Sequence, residues 1–307
     1  MAIPRRLVTL AACAMLLAAI VACGGKPPET TPSGLSSPTF APPLPTLALP
    51  ADPTLKPTRA VAPHVFVIVM ENTGLDRALR SQPIARLAAA NALATNYHAV
   101  ARPSLPNYLA LTSGGTWDIT DDNYHALPAA GIGAQLSTAG IGWRAYMDGL
   151  TDAGCLRSPY PYALKHNPFA YYGGGCPPNV VPIGALDADL AGVTPSFVWI
   201  TPDLCHDGHD CAIDTAGAWL DGMVSRIVSS DAWRTGGTLF IVWDEGDGFS
   251  DLVPLIVVTK DGTAKRDETR YDHYSLLATV EDIFGLPRLL RAVTARPLTQ
   301  LIAGGGP

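Results

Sequence analysis

Residues 239–243 (Leu-Phe-Ile-Val-Trp) form an unbroken apolar run that stops at two adjacent carboxylates, Asp244 and Glu245. The run is rich in β-branched and aromatic types. A strand without polar alternation has to be covered on both faces, as in a parallel sheet sandwiched between helices. In open sheets of that kind, ligands bind outside the carboxyl ends of the strands. Asp244 and Glu245 fall at that place, and Gly246 and Gly248 loosen the backbone behind them. Two neighbouring anions repel each other unless a cation lies between them, and a divalent metal is the usual solution. A solvated polar turn is the alternative reading, and the rest of the chain has to decide between them.

Residues 64–70, 196–201 and 253–259 predict further buried strands, and 143–147 a weaker one. Residues 75–94 are rich in Ala and Leu and predict one helix. Residues 104–112, 212–230 and 272–284 predict three more, the last with Leu276, Leu277, Val280 and Ile283 on its apolar side. Strands spaced by helices predict an α/β fold of three layers, with a mostly parallel central sheet and helices on both faces.

The N-terminal end has a different character. Residues 1–6 are a short basic start, and 7–21 form an apolar run that leads to Ile20-Val21-Ala22-Cys23. That run is short for a membrane span but fits the core of a signal peptide. The residues before Cys23 resemble a bacterial lipoprotein box, with cleavage at 22 and a lipid on the Cys23 sulfur. An ordinary secretory signal with an incidental Cys is the other reading. Residues 27–63 are dense in Pro and Thr and predict an extended tether. The expected organisation is a signal over 1–22, the lipidated Cys and tether over 23–63, and a catalytic domain over 64–301. Removing 1–22 takes away Arg5 and Arg6 and no acid, so the formal charge moves from −6 to −8. No basic cluster tracks a helix face, which argues against a nucleic-acid surface. Four cysteines remain, Cys155, Cys176, Cys205 and Cys211, and outside the cytosol they predict two disulfides. Proximity favours 155–176 and 205–211, although three connectivities are open. The spacing fits no common zinc pattern.

Polar residues gather at the strand ends. Glu71 and Asn72 follow the first strand, repeating the logic of Asp244 and Glu245. Asp203, His206, Asp207, His209 and Asp210 crowd one loop that a disulfide would close. Ser104 opens the helix predicted over 104–112. It reads either as an N-cap or as a nucleophile, placed where free N–H groups and the helix dipole favour an anion. The chain has no Gly-x-Ser-x-Gly, no Walker loop and no His-Glu-x-x-His.

Taken together, Ile68-Val69-Met70-Glu71-Asn72, Pro103-Ser104-Leu105-Pro106-Asn107-Tyr108, Lys165-His166-Asn167-Pro168-Phe169, Thr201-Pro202-Asp203 with Asp207 and His209-Asp210, Trp243-Asp244-Glu245-Gly246-Asp247 and His273-Tyr274-Ser275 resemble the bacterial phosphoesterase family. That family includes acid phosphatases and phospholipases C and belongs to the alkaline-phosphatase-like superfamily. The resemblance implies metal ligands at Glu71, Asn72, Asp244 and Glu245, with Ser104 as a nucleophile whose oxygen also touches the metal. His166, Asp207, His209 and His273 match residues around the phosphate and the leaving group, so the proton work would belong to the histidines. In superfamily members with two metals, positions near Asp203, Asp207 and His273 hold the second ion. The oxygen-rich set suits Ca²⁺, Mg²⁺ or Mn²⁺ better than Zn²⁺, though zinc stays possible.

Two departures carry meaning. Arg102 stands where many relatives have His and could clamp a phosphate. Tyr108 stands where a sulfatase needs Arg, which argues against that chemistry. The chain ends soon after Pro287, so the extra β domains of full-length phospholipases are expected to be missing. The implied activity is hydrolysis of small phosphate monoesters through a phosphoserine, outside the cell and anchored to the membrane through Cys23. A phospholipase C-type diesterase and a non-catalytic surface lipoprotein that binds phosphorylated ligands are the alternatives.

Overall fold

The computed structural model describes residues 63–302 except Phe249, Asp261 and Thr263. The signal segment, Cys23 and nearly all of the tether lie outside the described residues. Within them the strands are β1 (His64–Met70), β2 (Ala92–His98), β3 (Trp143–Met147), β4 (Val180–Pro182), β5 (Phe197–Thr201), β6 (Gly237–Trp243), β7 (Leu252–Thr259), β8 (Lys265–Asp267) and β9 (Tyr271–Asp272). The helices are α1 (Leu75–Ala78), α2 (Gln82–Ala90), α3 (Ser104–Ser113), α4 (Gly131–Thr138), α5 (Leu186–Ala191), α6 (Ile213–Val228), α7 (Asp231–Arg234), α8 (His273–Phe284) and α9 (Thr299–Ile302).

All nine strands join one sheet in the order β4-β3-β5-β1-β6-β7-β2-β8, with β9 beside β2. Only β7 runs against the rest among the described residues. The expected three-layer, mostly parallel α/β architecture is the one observed. β1 from Val65 to Met70 and β6 from Leu239 to Trp243 are buried residue after residue, which requires cover on both faces. Two helix pairs provide it: α2 packs on α6, and α3 on α8.

One expected element divides. Residues 75–94 are not a single helix but α1, α2 and the first residues of β2. Pro83 sits in the first turn of α2, where its missing N–H costs nothing, and Ser81 in extended backbone separates the two helices. Ala92, Leu93 and Ala94 then enter the sheet, because pairing with β7 outweighs their helix preference. The two disulfides are Cys155–Cys176 and Cys205–Cys211, the pairing that sequence proximity favours.

The register at the middle of the sheet sets up the site. Met70 pairs with Trp243 at the last rung between the parallel strands β1 and β6. The next residues, Glu71 and Asp244, leave the sheet together at its carboxyl edge. The Asp244 N–H donates to the Met70 carbonyl (3.0 Å) and the Thr73 N–H to the Glu245 carbonyl (3.0 Å), so the ladder continues one step past the strands.

Candidate active site

Ser104 is the first residue of α3; Pro103, in extended backbone, takes the cap position. Its hydroxyl does not cap the helix. Oγ donates to Glu71 Oε1 at 2.8 Å, lies 3.2 Å from Glu245 Oε1, and accepts from Lys165 Nζ at 3.2 Å. The loop before it is fastened by Asn107, whose Oδ1 accepts from the N–H groups of Val100 and Ala101 and whose Nδ2 donates to the Ala101 carbonyl. The free N–H groups expected at this helix start are partly spoken for. Pro106 has none, and the Leu105 N–H donates to Asp122 Oδ1 at 3.0 Å.

Around Ser104 stand the carboxylates of Glu71, Asp244 and Glu245, all buried. Asp244 Oδ1 accepts from the backbone N–H groups of Asn72 (3.1 Å) and Glu245 (2.6 Å). Asn72 holds left-handed backbone, φ 44°, a conformation Asn tolerates better than most residues. It meets the cluster through that N–H. Gly246 lets the loop fold back on itself, since a Cβ there would run into the Ser250 carbonyl. Arg102 straps the same loop, donating to the carbonyls of Gly246 (2.8 Å) and Ser250 (2.6 Å) and lying 3.7 Å from Glu245 Oε2.

Behind Glu71 lies His166. Its Nε2 is 3.3 Å from Glu71 Oε2 and its Nδ1 3.3 Å from Asp207 Oδ2, and Tyr108 stacks on the ring at 5.0 Å. Neither contact has hydrogen-bond geometry, so charge alone holds the four buried atoms. Burial works to lower the His166 pKa, but Glu71 and Asp207 lift it to about 9. Burial also works to raise the Glu71 carboxyl; the His166 charge, with Asp244 and Lys165, holds it well below the ordinary range instead. Asp244 goes the other way, pushed well above its ordinary value by burial and then by the Glu71 charge. Burial and Glu71 raise Glu245 as well.

A bound cation would offset the repulsion between these buried carboxyl groups. Two observations support that fit. Glu71 Oε2 and Asp244 Oδ2 are buried without a hydrogen-bond partner. Glu71, Asp244 and His166 also each offer an atom within 4.8 Å of the other two. The carboxylates of Glu71, Asp244 and Glu245 with Ser104 Oγ are hard oxygen donors of the kind that Ca²⁺, Mg²⁺ and Mn²⁺ prefer. His166 is the one nitrogen within reach for zinc.

The remaining expected residues are placed differently. Asp207 is buried against His166, and its Oδ1 accepts from the His209 N–H at 2.8 Å. The His209 ring turns to Asp210 (2.6 Å) and is exposed. His273, the first residue of α8, is fully buried, with Nε2 2.6 Å from the Asp244 carbonyl and Nδ1 3.0 Å from the Tyr97 hydroxyl. Both ring nitrogens are occupied, and burial lowers its pKa to about 4 despite the carbonyl contact, so it is neutral. The Asp203 carbonyl accepts from the Asp207 N–H (2.8 Å), but its carboxylate turns to His206 (3.2 Å), which also contacts Asp148 (2.9 Å). Sequence reasoning assigned no role to Lys165 or Asp122. Lys165 adjoins His166 in a motif already noted, whereas nothing around Asp122 sets it apart.

Comparison with known proteins agrees with this picture. The chain is 30% identical over 256 residues to a probable acid phosphatase of Kluyveromyces lactis, covering 74% of this chain and 59% of that one. It is 31% identical over 251 residues to a phosphatidylinositol-3-phosphatase of Mycobacterium tuberculosis, covering 78% and 82%. The chain thus spans about three-fifths of the length of the yeast relative. Its fold is similar to a crystal structure of an alkaline phosphatase superfamily protein from Vibrio parahaemolyticus (TM-score 0.56, 12% identity, 79% of this chain and 71% of that one). The Phosphoesterase family matches residues 77–287, a stretch that includes Ser104, Lys165, His166, Asp207, Asp244, Glu245 and His273. The chain belongs to the Phosphoesterase family.

Proposed function

We propose that the protein is a metal-dependent phosphomonoesterase that works through a phosphoserine on Ser104. The observation that carries this reading is the placement of one buried hydroxyl, at a helix start, between two carboxylates and an ammonium group. The likeness to a probable acid phosphatase and to a phosphatidylinositol-3-phosphatase supports the substrate class.

Glu71, Asp244 and Glu245, with Ser104 Oγ and Asn72, would hold the cation. When bound, the cation supplies Lewis-acid stabilisation of negative charge on phosphoryl and serine oxygens. The chain's own residues do the rest. Glu71 Oε1 receives the hydroxyl proton of Ser104, and it is kept ionised by His166 and Lys165. Ser104 Oγ bonds to phosphorus as the ester P–O bond breaks; the departing alkoxide takes a proton from water while Glu71 returns the serine proton to solvent. Water then cleaves the phosphoserine, releasing inorganic phosphate and restoring the hydroxyl. His166 fixes Glu71 in place, since Asp207 and Tyr108 leave its ring no freedom. Most of the rate enhancement is electrostatic and positional, as expected for phosphoryl transfer.

The same proposal places the protein outside the cytosol, anchored through a lipid on Cys23. Its support is the apolar run ending at Cys23 and two disulfides in the folded part.

The test is turnover of p-nitrophenyl phosphate with and without EDTA, in the wild type and in Ser104→Ala. Turnover that EDTA abolishes and added Mg²⁺, Mn²⁺ or Ca²⁺ restores, and that is absent from a folded Ser104→Ala, is expected. Unchanged activity in either arm overturns the corresponding half of the reading.

A further inference from the structure

The immediate surroundings of Ser104 hold three cationic side chains, and two of them are already committed. His166 is 1% exposed and enclosed by Glu71, Asp207 and the face of Tyr108. Arg102 spends its guanidinium on the carbonyls of Gly246 and Ser250 and on Asp251. The third, Lys165, touches Ser104 Oγ (3.2 Å), and its side chain is 21% exposed. It therefore touches the nucleophile while part of its side chain still meets solvent. Two of the three imidazoles expected near the phosphate are committed to other contacts: His273 is sealed between Asp244 and Tyr97, and His209 rests on Asp210.

Lys165 is also held in place. Asp122 Oδ2 lies 3.2 Å from its Nζ, while Asp122 Oδ1 accepts from the Leu105 N–H, the residue after the nucleophile. One carboxylate thus ties the ammonium to the start of α3, at the end where an anion is favoured.

Resting on the reading of Ser104 as a phosphoryl acceptor, we infer that Lys165 is a catalytic residue that reads the extra negative charge of a phosphate monoester, with Asp122 as its positioning residue. A monoester dianion carries one more charged non-bridging oxygen than a diester. A cation held by the carboxylate cage would offset part of that charge, and Lys165, 3.2 Å from Ser104 Oγ, is the ammonium placed to offset the rest. Lys165 keeps its protons throughout; the bond that forms is Ser104 Oγ to phosphorus and the bond that breaks is the ester P–O. An ammonium serves better here than a planar guanidinium because three elements have to share a point charge.

The experiment compares wild type, Lys165→Met, Lys165→Arg, Asp122→Asn and Ser104→Ala. kcat/KM is measured for p-nitrophenyl phosphate and for bis(p-nitrophenyl) phosphate, binding of inorganic phosphate by calorimetry, and folding by thermal melts. Lys165→Met should lose roughly ten- to a hundredfold more kcat/KM on the monoester than on the diester, the scale of one charge-assisted hydrogen bond. It should also bind phosphate at least about tenfold more weakly. Lys165→Arg should recover part of the monoester activity. Asp122→Asn, whose amide oxygen can still accept from Leu105, should shift selectivity in the same direction by less. Equal losses on both esters in a folded Lys165→Met, or none, overturn this inference while an inert Ser104→Ala leaves the broader reading intact. A wild type that turns over neither ester and binds no phosphate overturns both.

Discussion

Met70 pairs with Trp243 on the last rung between two parallel strands, and that register delivers Glu71 and Asp244 side by side at the carboxyl edge of the sheet. The pair is unfavourable without a cation: Glu71 holds the charge, and Asp244 is pushed to hold a proton. Function and stability therefore conflict at Asp244.

The first prediction follows from that conflict. Asp244→Asn keeps an oxygen to accept from the Asn72 and Glu245 N–H groups but removes the titratable carboxyl. Metal affinity and kcat should fall more than about a hundredfold, beyond what changes to the residues behind the ligands produce. In EDTA at pH 8 the variant should melt above wild type, by about 2–4 °C for each kcal/mol of relieved repulsion. A variant that melts lower in EDTA would show that the paired carboxyls are not strained.

The second prediction concerns His273. Its ring bridges the Asp244 carbonyl and the Tyr97 hydroxyl, so it positions the backbone of a candidate ligand and does not deliver a proton. His273→Ala should cost about 1–3 kcal/mol of stability for each group it leaves unsatisfied. Its activity loss should be the same for phenyl phosphate and p-nitrophenyl phosphate. A loss confined to the poorer leaving group would instead make His273 the general acid.

The place of Asp244 and Glu245 at the carboxyl end of a buried strand is legible in the sequence, and the reason is physical. A parallel strand buried on both faces is written as an apolar run, so 239–243 gave both the layer structure and the position of Asp244 and Glu245. Residues 75–94 misled because Ala92, Leu93 and Ala94 prefer helix, and only pairing with β7 makes them strand. The signal was Pro83, which opens a helix more easily than it sits inside one. His209 and His273 fell within the right motifs, yet their rings turn to Asp210, Tyr97 and the Asp244 carbonyl, contacts that no local pattern announces. Lys165 and Asp122 were silent for the same reason: their meaning lies in long-range contacts, 61 residues to Ser104 and 43 to each other.

A third prediction lies away from the site. Glu281, buried on α8, accepts from the Leu289 N–H through Oε1, while its Oε2 has no partner. Burial pushes its pKa up to about 8, against an ordinary 4.5, although Leu289 and Arg288 pull the other way. The native state therefore holds this proton more tightly than the unfolded chain. The sign follows: this contribution to stability is complete below about pH 4.5 and is lost as pH rises through 8. Glu281→Gln should remove that slope, melting close to wild type at pH 5 and above it at pH 9. Parallel melting curves for the two proteins across this range would refute the assignment.

The central claim is that Ser104 carries the phosphoryl group. Its most direct test is to mix the enzyme with p-nitrophenyl phosphate, quench in acid within a turnover and locate covalent phosphate by peptide mass spectrometry. The account predicts phosphate on the peptide containing Ser104, at that residue, and none in Ser104→Ala. Turnover in the wild type with no phosphate on Ser104, or with the label on another side chain, would contradict it.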